Sequence, residues 1–560
     1  MSGSRPQWRA TLRRRPSAPV VVLAVGVLAS TAVLVWHARK MWFFGDEWDF
    51  LYHRALSGGD GPGLLAPHNE HWSTIPLILY RVMWHVVGLQ HYQVWMLMPI
   101  LTLMVGSVAM YALLRRAGAS GWVAVICALV LAWNGAGEDT LWAFQVGFLG
   151  SLTAGIVGCL VVQEWPSVRG LVVANAMALV ALMCSGLGIP MVAWMTLFAL
   201  MLRGWRIALA VGTLPAITYA AWYSAYGVSA TEQADTLPDA SASAFLAYVW
   251  AGISHVWDVT TGMPAVGMFV FLGLAAVAFL VRTTDKLHAL AVAGVVTTLF
   301  GYTMLAVSRA KFGVEQANSL RYVPLGLILT LPALAVAVGS VKQRLPDRSS
   351  ERVALGVGLT ALLLMSSYAS TSTFAHDRAT FFVGVEERVL LGVHLEESGE
   401  PLMRTTLEAP NQPPIDVALL SQPGQRDHVP SVQPDDDDLW LARAQFRVGA
   451  TPTPGDLPFA HSVTGVGIGG DLDLSDCAEG ATSTLPAGYL DVPAGRRGMQ
   501  IGVRSPGTSL TVQLVHDGEV SAPASLSTPA GQTVFVGTNV PDATLRITPT
   551  TPTFGVCDHG

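Results

Sequence analysis

Hydrophobic residues are distributed very unevenly along this chain of 560 residues. Long uncharged apolar runs fill residues 19–370, and almost none follow. A run of roughly 20 apolar residues crosses a bilayer as a helix, because the helix satisfies its own backbone polar groups. The pattern predicts eleven spans, at 19–37, 92–114, 121–136, 141–163, 171–187, 190–202, 207–226, 264–281, 287–305, 323–340 and 353–370. The third and sixth are short. The first lacks a small-residue cleavage site and reads as a retained anchor, not a signal peptide. Residues 73–90, with Arg81 and His85 among Leu, Trp and Val, read as an amphipathic helix lying along the interface.

After residue 370 the pattern changes. An amphipathic helix is expected near 377–397, with Phe381, Phe382, Val385, Val389 and Leu390 on one face. From about 450, short β-like runs follow at 500–504, 510–515, 533–536 and 544–547, separated by Gly, Pro, Asp and Asn. That spacing predicts a small antiparallel sandwich or jelly roll. The expected fold class is a mainly α polytopic membrane protein with a C-terminal β-sandwich-like domain. Its parts are a tail (1–18), a membrane domain (19–370) with a long first outer loop (38–91), a connecting region (371–450) and the β domain (451–560).

Lys and Arg orient the spans, since short cytoplasmic loops carry the positive excess. The N-terminal tail holds Arg5, Arg9, Arg13, Arg14 and Arg15, which places it in the cytoplasm. The alternate loops then hold Arg115 and Arg116, Arg169, Arg203 and Arg206, Arg282 and Lys286, and Lys342, Arg344 and Arg348. An odd number of crossings puts residues 371–560 on the outer face. That tail has 10 Lys and Arg against 23 Asp and Glu, a net of −13, so nucleic acid and anionic headgroups are poor partners for it. In an oxidising compartment its two cysteines, Cys477 and Cys557, are expected to pair, against the alternative of two free thiols.

No span core contains Asp, Glu, Lys or Arg, which argues against an ion-driven transporter, whose ionisable groups sit at mid-membrane depth. The chemistry lies in the outer loops. The first opens Trp42-Phe43-Phe44-Gly45-Asp46-Glu47-Trp48-Asp49, three carboxylates among aromatics. Burial against apolar groups raises a carboxyl pKa and suits it to taking a proton from an alcohol; the competing reading is a solvated loop with helix-capping acids. Further on stands His68-Asn69-Glu70-His71-Trp72. His68 and His71 would share a helical face and Glu70 would complete a divalent metal site, the one cofactor left open; the alternative is two hydrogen-bonding histidines. The second outer loop carries Glu138 and Asp139, and the loop before the tenth span carries Arg309, Lys311 and Arg321. Outer-side cations point to a lipid phosphate or to snorkelling anchors. The run Asp435-Asp436-Asp437-Asp438 reads as a solvated loop or a calcium site.

This arrangement resembles the GT-C superfamily of integral-membrane glycosyltransferases, over residues 15–370. The acidic pair past span one matches Asp46-Glu47, the second acidic site Glu138-Asp139, and the basic cluster Arg309, Lys311 and Arg321. Within that superfamily the Gly-Asp-Glu-Trp and His-Asn-Glu-His-Trp pattern is similar to that of a group of actinobacterial membrane proteins. The resemblance implies a polyprenyl-phosphate-linked sugar donor, a glycan or glycolipid acceptor on the outer face, and Asp46 as general base. Glu47, or Glu138 with Asp139, would orient the acceptor or hold a metal. Arg321, with Arg309 or Lys311, would neutralise the leaving phosphate. The rival expectations are a lipid-linked glycan ligase or polymerase, and a non-catalytic envelope scaffold or flippase.

The topology is directly testable. A reporter fused after Gly560 should be active only outside the cytoplasm, and one fused after Arg206 only inside. A cytoplasmic C-terminus would overturn the odd span count.

Overall fold

The computed structural model describes residues 17–52, 63–165, 167–228, 240–344, 349–407, 413–451, 457–458, 460, 462–465, 472–473, 489–496, 498–504, 509–516, 519–521, 523–527, 533–549 and 555–557. The chain divides into two compact units. The first comprises residues 1–43, 50–84 and 91–380, and the second residues 44–49, 85–90 and 381–560.

The first unit is a bundle of apolar helices. Among the described residues six are long and apolar enough to cross a membrane: Ala18–Ala38, Tyr92–Ala117, Ala143–Glu164, Trp205–Gly227, Asp285–Phe312 and Leu320–Ser340. Four further expected spans fall on shorter apolar helices, Gly121–Ala132, Val168–Cys184, Gly188–Arg203 and Gly267–Leu280. The eleventh lies inside the long helix Ser349–Glu397. Helix length and composition therefore qualify fewer spans than the eleven read from the sequence. The amphipathic stretch folds as Thr74–Val87 and buries Leu77, Tyr80 and Trp84, while Ile78 and Val82 stay exposed on its other side.

One helix went unread. Ala242–Thr261 opens at Ser241, whose hydroxyl accepts the Ala244 N–H at 3.2 Å in the usual N-cap manner. It buries Tyr248, Gly252, Ile253, Val256, Trp257 and Thr260, one stripe at helical spacing. Its Ser-rich start and the polar residues His255 and Asp258 hid it from a search for uninterrupted apolar runs.

Glycines set the closest helix approaches, as is common where lipid gives helices no hydrophobic reason to associate. Gly155 and Gly158 face Met191 and Met195, and an added Cβ would come within 2.3 and 2.4 Å of those side chains. Gly294 is tighter in kind, because its Cβ would meet the Leu329 carbonyl oxygen at 2.0 Å. The Met195 tip facing Gly158 can turn aside; a helix backbone cannot.

The second unit contains two antiparallel sheets. One runs Ala524–Ser527, Ser509–His516, Thr544–Pro549, Leu490–Pro493, Ser462–Gly465 and Leu472–Asp473, with Glu519–Val520 pairing on Ser509–His516. The other runs Gly555–Cys557, Met499–Arg504, Thr533–Thr538 and Val448–Thr451. Alternate residues of both sheets, among them Ile501, Val503, Val534 and Val536 against Leu510, Val512, Leu545 and Ile547, form one core, which is the sandwich arrangement. Phe382, Val385, Val389 and Leu390 are buried. The Asp435–Asp438 run is a helix start, not a loop, and among the described residues no group of acids is arranged to hold a cation. Asp435 caps the helix Asp436–Phe446, its carboxylate accepting the Asp438 N–H at 2.9 Å while Asp438 accepts the Asp435 N–H at 3.3 Å. Acids in a first helical turn are favoured there by the unpaired N–H groups and the helix dipole. Cys477 lies outside the described residues, and with it the expected Cys477–Cys557 pairing.

Gly294→Ala should drive the two helices apart and destabilise the protein by about 1–3 kcal/mol, the usual range for overpacking. Gly273→Ala is the control, since nothing lies within 4 Å of its Cβ position. Thermal melting in detergent, followed by size exclusion, should separate the two. Equal melting temperatures would refute the backbone contact.

Candidate functional site

Three loops of the first unit bring their charged residues together. The first is built around a tight turn. Asn69 takes φ 49°, a left-handed conformation that Asn tolerates better than most residues. The turn closes with His68 N–H donating to the His71 carbonyl at 3.0 Å and His71 N–H to the His68 carbonyl at 2.9 Å. Aromatics fix the loop in place. The Trp72 indole stacks on Trp222 at 5.1 Å with 4° between planes. Its N–H donates to Thr74 Oγ1 at 2.7 Å, and the Trp222 N–H donates to the Leu65 carbonyl at 2.7 Å.

This turn corrects the helical reading of His68 and His71. The His68 ring packs on Phe50 and Phe144, at 4.7 and 5.4 Å between centroids, whereas His71 packs on Phe148 at 5.8 Å. Glu70 forms an ion pair with Arg309, the last residue of the helix Asp285–Arg309. Its Oε1 also lies 4.0 Å from His71 Nε2. Among the described residues no group of three or more His, Cys, Asp or Glu is arranged to hold a metal ion, so the donor set His68, Glu70 and His71 does not fit the divalent metal site expected of it. Burial pushes the His71 ring down to about 4; the Glu70 charge opposes this, and Arg309, His68 and Arg321 add to it. His71 is thus a neutral imidazole. Burial works against the Glu70 charge, but His71 and Arg309 outweigh it and hold the carboxyl below its ordinary range; with His71 neutral, Arg309 is the partner that keeps it ionised.

The second and third loops meet at Glu138. The turn Gly137–Thr140 is set by Asn134, whose Oδ1 accepts the Ala136 N–H at 2.7 Å. Glu138 Oε2 accepts from Ser319 Oγ at 2.8 Å and from the Arg321 backbone N–H at 3.3 Å. Its Oε1 lies 3.6 Å from Arg321 Nε, which itself donates to Ser319 Oγ at 3.0 Å. Asp139 beside it is fully buried, and neither carboxylate oxygen has a hydrogen-bond partner. Burial raises its carboxyl well above the ordinary value; Glu138 adds to this and Arg321 opposes it. Arg321 and Arg309 both act electrostatically on His71, so the two ion pairs form one charged neighbourhood. Lys311 lies 5.6 Å from the Phe312 ring centroid.

Asp46 and Glu47 group with the second unit. They begin the short turn Asp46–Asp49 after Gly45, at φ 58°. Glu47 is fully buried and accepts the Phe44 N–H at 2.8 Å, so it acts locally as a capping acid. The Phe44 ring packs edge-on against Phe382 at 5.8 Å. Sequence reasoning missed Ser319, Trp222 and Gly186. An added Cβ on Gly186 would stand 2.8 Å from His71 Nδ1, so its smallness makes room for the imidazole. Only Ser319 carried a sequence signal, two residues from Arg321.

No protein-family model matches the chain, and no curated protein matches it. Among solved structures it is similar to ArnT from Cupriavidus metallidurans in the apo state, at 15% identity and TM-score 0.46, covering 72% of this chain and 85% of that one. It is similar to the Archaeoglobus fulgidus oligosaccharyltransferase complexed with zinc and sulfate, at 13% identity and TM-score 0.37, covering 63% and 53%. A third likeness is to the arabinosyltransferase EmbB from Mycobacterium smegmatis, at 11% identity and TM-score 0.32, covering 99% and 65%.

The neutral His71 has a consequence for pH. Its folded pKa lies below the ordinary 6.5, so between pH 6.5 and 4 the unfolded chain binds the proton that the folded one refuses. Stability should therefore fall as pH falls through that window. Melting temperatures in detergent should drop from pH 6.5 to 4, and drop less steeply for His71→Gln. Parallel curves would refute the assignment.

Proposed function

We propose that the chain is a membrane glycosyltransferase that moves a sugar from a polyprenyl-phosphate donor to an outer-face acceptor, a cell-envelope glycan or glycolipid. The observation that carries this reading is the convergence of Glu138, Ser319 and Arg321 beside buried Asp139, with Arg309 nearby on Glu70. Guanidiniums bind phosphate oxygens well because their planar N–H groups match them geometrically. Carboxylates beside them suit the hydroxyls of a sugar. A scaffold or flippase has no need of such a cluster.

In this reading an acceptor hydroxyl oxygen attacks the anomeric carbon of the donor sugar. Its proton passes to the general base, for which Asp46 is our choice on its sequence setting. The bond from the anomeric carbon to the phosphate oxygen breaks, and polyprenyl phosphate leaves with the electron pair. Arg321, with Arg309 or Lys311, offsets the charge that develops on it. Attack opposite the leaving group gives inversion. Glu138 and Asp139 orient the acceptor. The bilayer holds the donor by its tail.

Asp46→Asn keeps size and hydrogen bonding but removes proton acceptance. Transfer in membranes supplied with polyprenyl-phosphate sugar should fall by about 100-fold or more, with insertion unchanged. Arg321→Ala should weaken donor binding as well as turnover, because phosphate is present in both ground and transition states. Full activity in both variants would defeat the proposal.

A further inference from the structure

Tyr248 carries a buried hydroxyl near the charged neighbourhood that the reading above leaves unused. Its side chain is fully buried, and its hydroxyl has no hydrogen-bond partner. Buried tyrosine hydroxyls usually find one, because leaving an O–H unmatched costs stability.

Its position is set by the helix Ala242–Thr261, which packs on the turns Ala310–Phe312 and Val314–Asn318. One helical turn further along, Gly252 lets that helix approach Tyr302 so closely that a Cβ would stand 2.6 Å from the ring. The Tyr302 hydroxyl is already committed, donating to the Tyr322 carbonyl at 2.8 Å. Tyr322 follows Arg321 directly. Tyr248 lies within electrostatic reach of Arg309, Arg321 and Tyr322. A hydroxyl without a partner therefore lies within electrostatic reach of two guanidiniums, each paired with a carboxylate, a setting in which an anion with several acceptor oxygens can take the hydroxyl and share the cations.

We infer that Tyr248 is a phosphate-binding residue, its hydroxyl donating to a phosphate oxygen of the polyprenyl donor that Arg321 and Arg309 neutralise. This rests on the glycosyltransferase reading for the identity of the lipid. A neutral donor adds direction to a site whose cations supply charge, since a phenol on a packed helix has one axis along which to donate.

The experiment measures binding of farnesyl phosphate, and of farnesol as the phosphate-free control, to the full chain in phosphatidylcholine nanodiscs. Tyr248→Phe removes only the hydroxyl. It should weaken farnesyl phosphate binding about 10-fold, in line with loss of a hydrogen bond to a charged group, and leave farnesol binding and melting temperature unchanged. Unchanged farnesyl phosphate binding in Tyr248→Phe alongside a large loss in Arg321→Ala would overturn the role of Tyr248 and leave the phosphate site standing. Unchanged binding in both variants would overturn the phosphate site itself. Equal weakening of farnesyl phosphate and farnesol would reduce Tyr248 to packing and overturn the inference as well.

Discussion

A carboxylate held against a guanidinium at the end of an apolar bundle is the interaction on which the rest of this site depends. Glu138 accepts from the Ser319 side chain and from the Arg321 backbone, and it faces the Arg321 side chain. Both ions are half-buried, so each loses part of its hydration and the partner offsets that cost. Together they join two loops separated by 183 residues. The pair also shapes its neighbours. Asp139 meets an added negative charge from Glu138 and little water, so it favours the neutral acid. Ser319 is hydrogen-bonded on both sides, to Glu138 and to Arg321.

This joint would have little to hold if the helices behind it were loose. The close approach at Gly294 puts the helix ending in Arg309 against the backbone of Val323–Arg344, the helix that follows Arg321. Two cations of the site are therefore carried on elements whose spacing is fixed by backbone contact. The Trp72–Trp222 stack does the same for the loop bearing Glu70. Rigid support of this kind is what lets a few charged groups act in a defined geometry.

Much of this was legible in the sequence where the physics is local. Apolar runs marked the helices, because a bilayer penalises any unsatisfied backbone group, and short β-like runs set between Gly, Pro, Asp and Asn marked Met499–Arg504 and Ser509–His516. The residues near the charged cluster were legible as ions in the loops between apolar runs, but their pairing was not. Nothing local says that Glu70 meets Arg309 or that Glu138 meets Arg321. Two local readings also failed for identifiable reasons. The histidine spacing in His68-Asn69-Glu70-His71 suits a helix, yet the left-handed Asn69 turns it into a hairpin-like turn. Four consecutive aspartates look like a loop until Asp435 and Asp438 are recognised as a reciprocal cap. The helix Ala242–Thr261 was missed because its apolar stripe is interrupted by polar residues on the opposite side.

The pairing of Arg309 with Glu70 means that this cation is already matched before any substrate arrives. In the proposed reading an incoming phosphate does not meet a bare positive charge; it has to displace a resident carboxylate. Recognition at such a position is a counter-ion exchange, and its selectivity is set by the difference between two attractions, not by the strength of one.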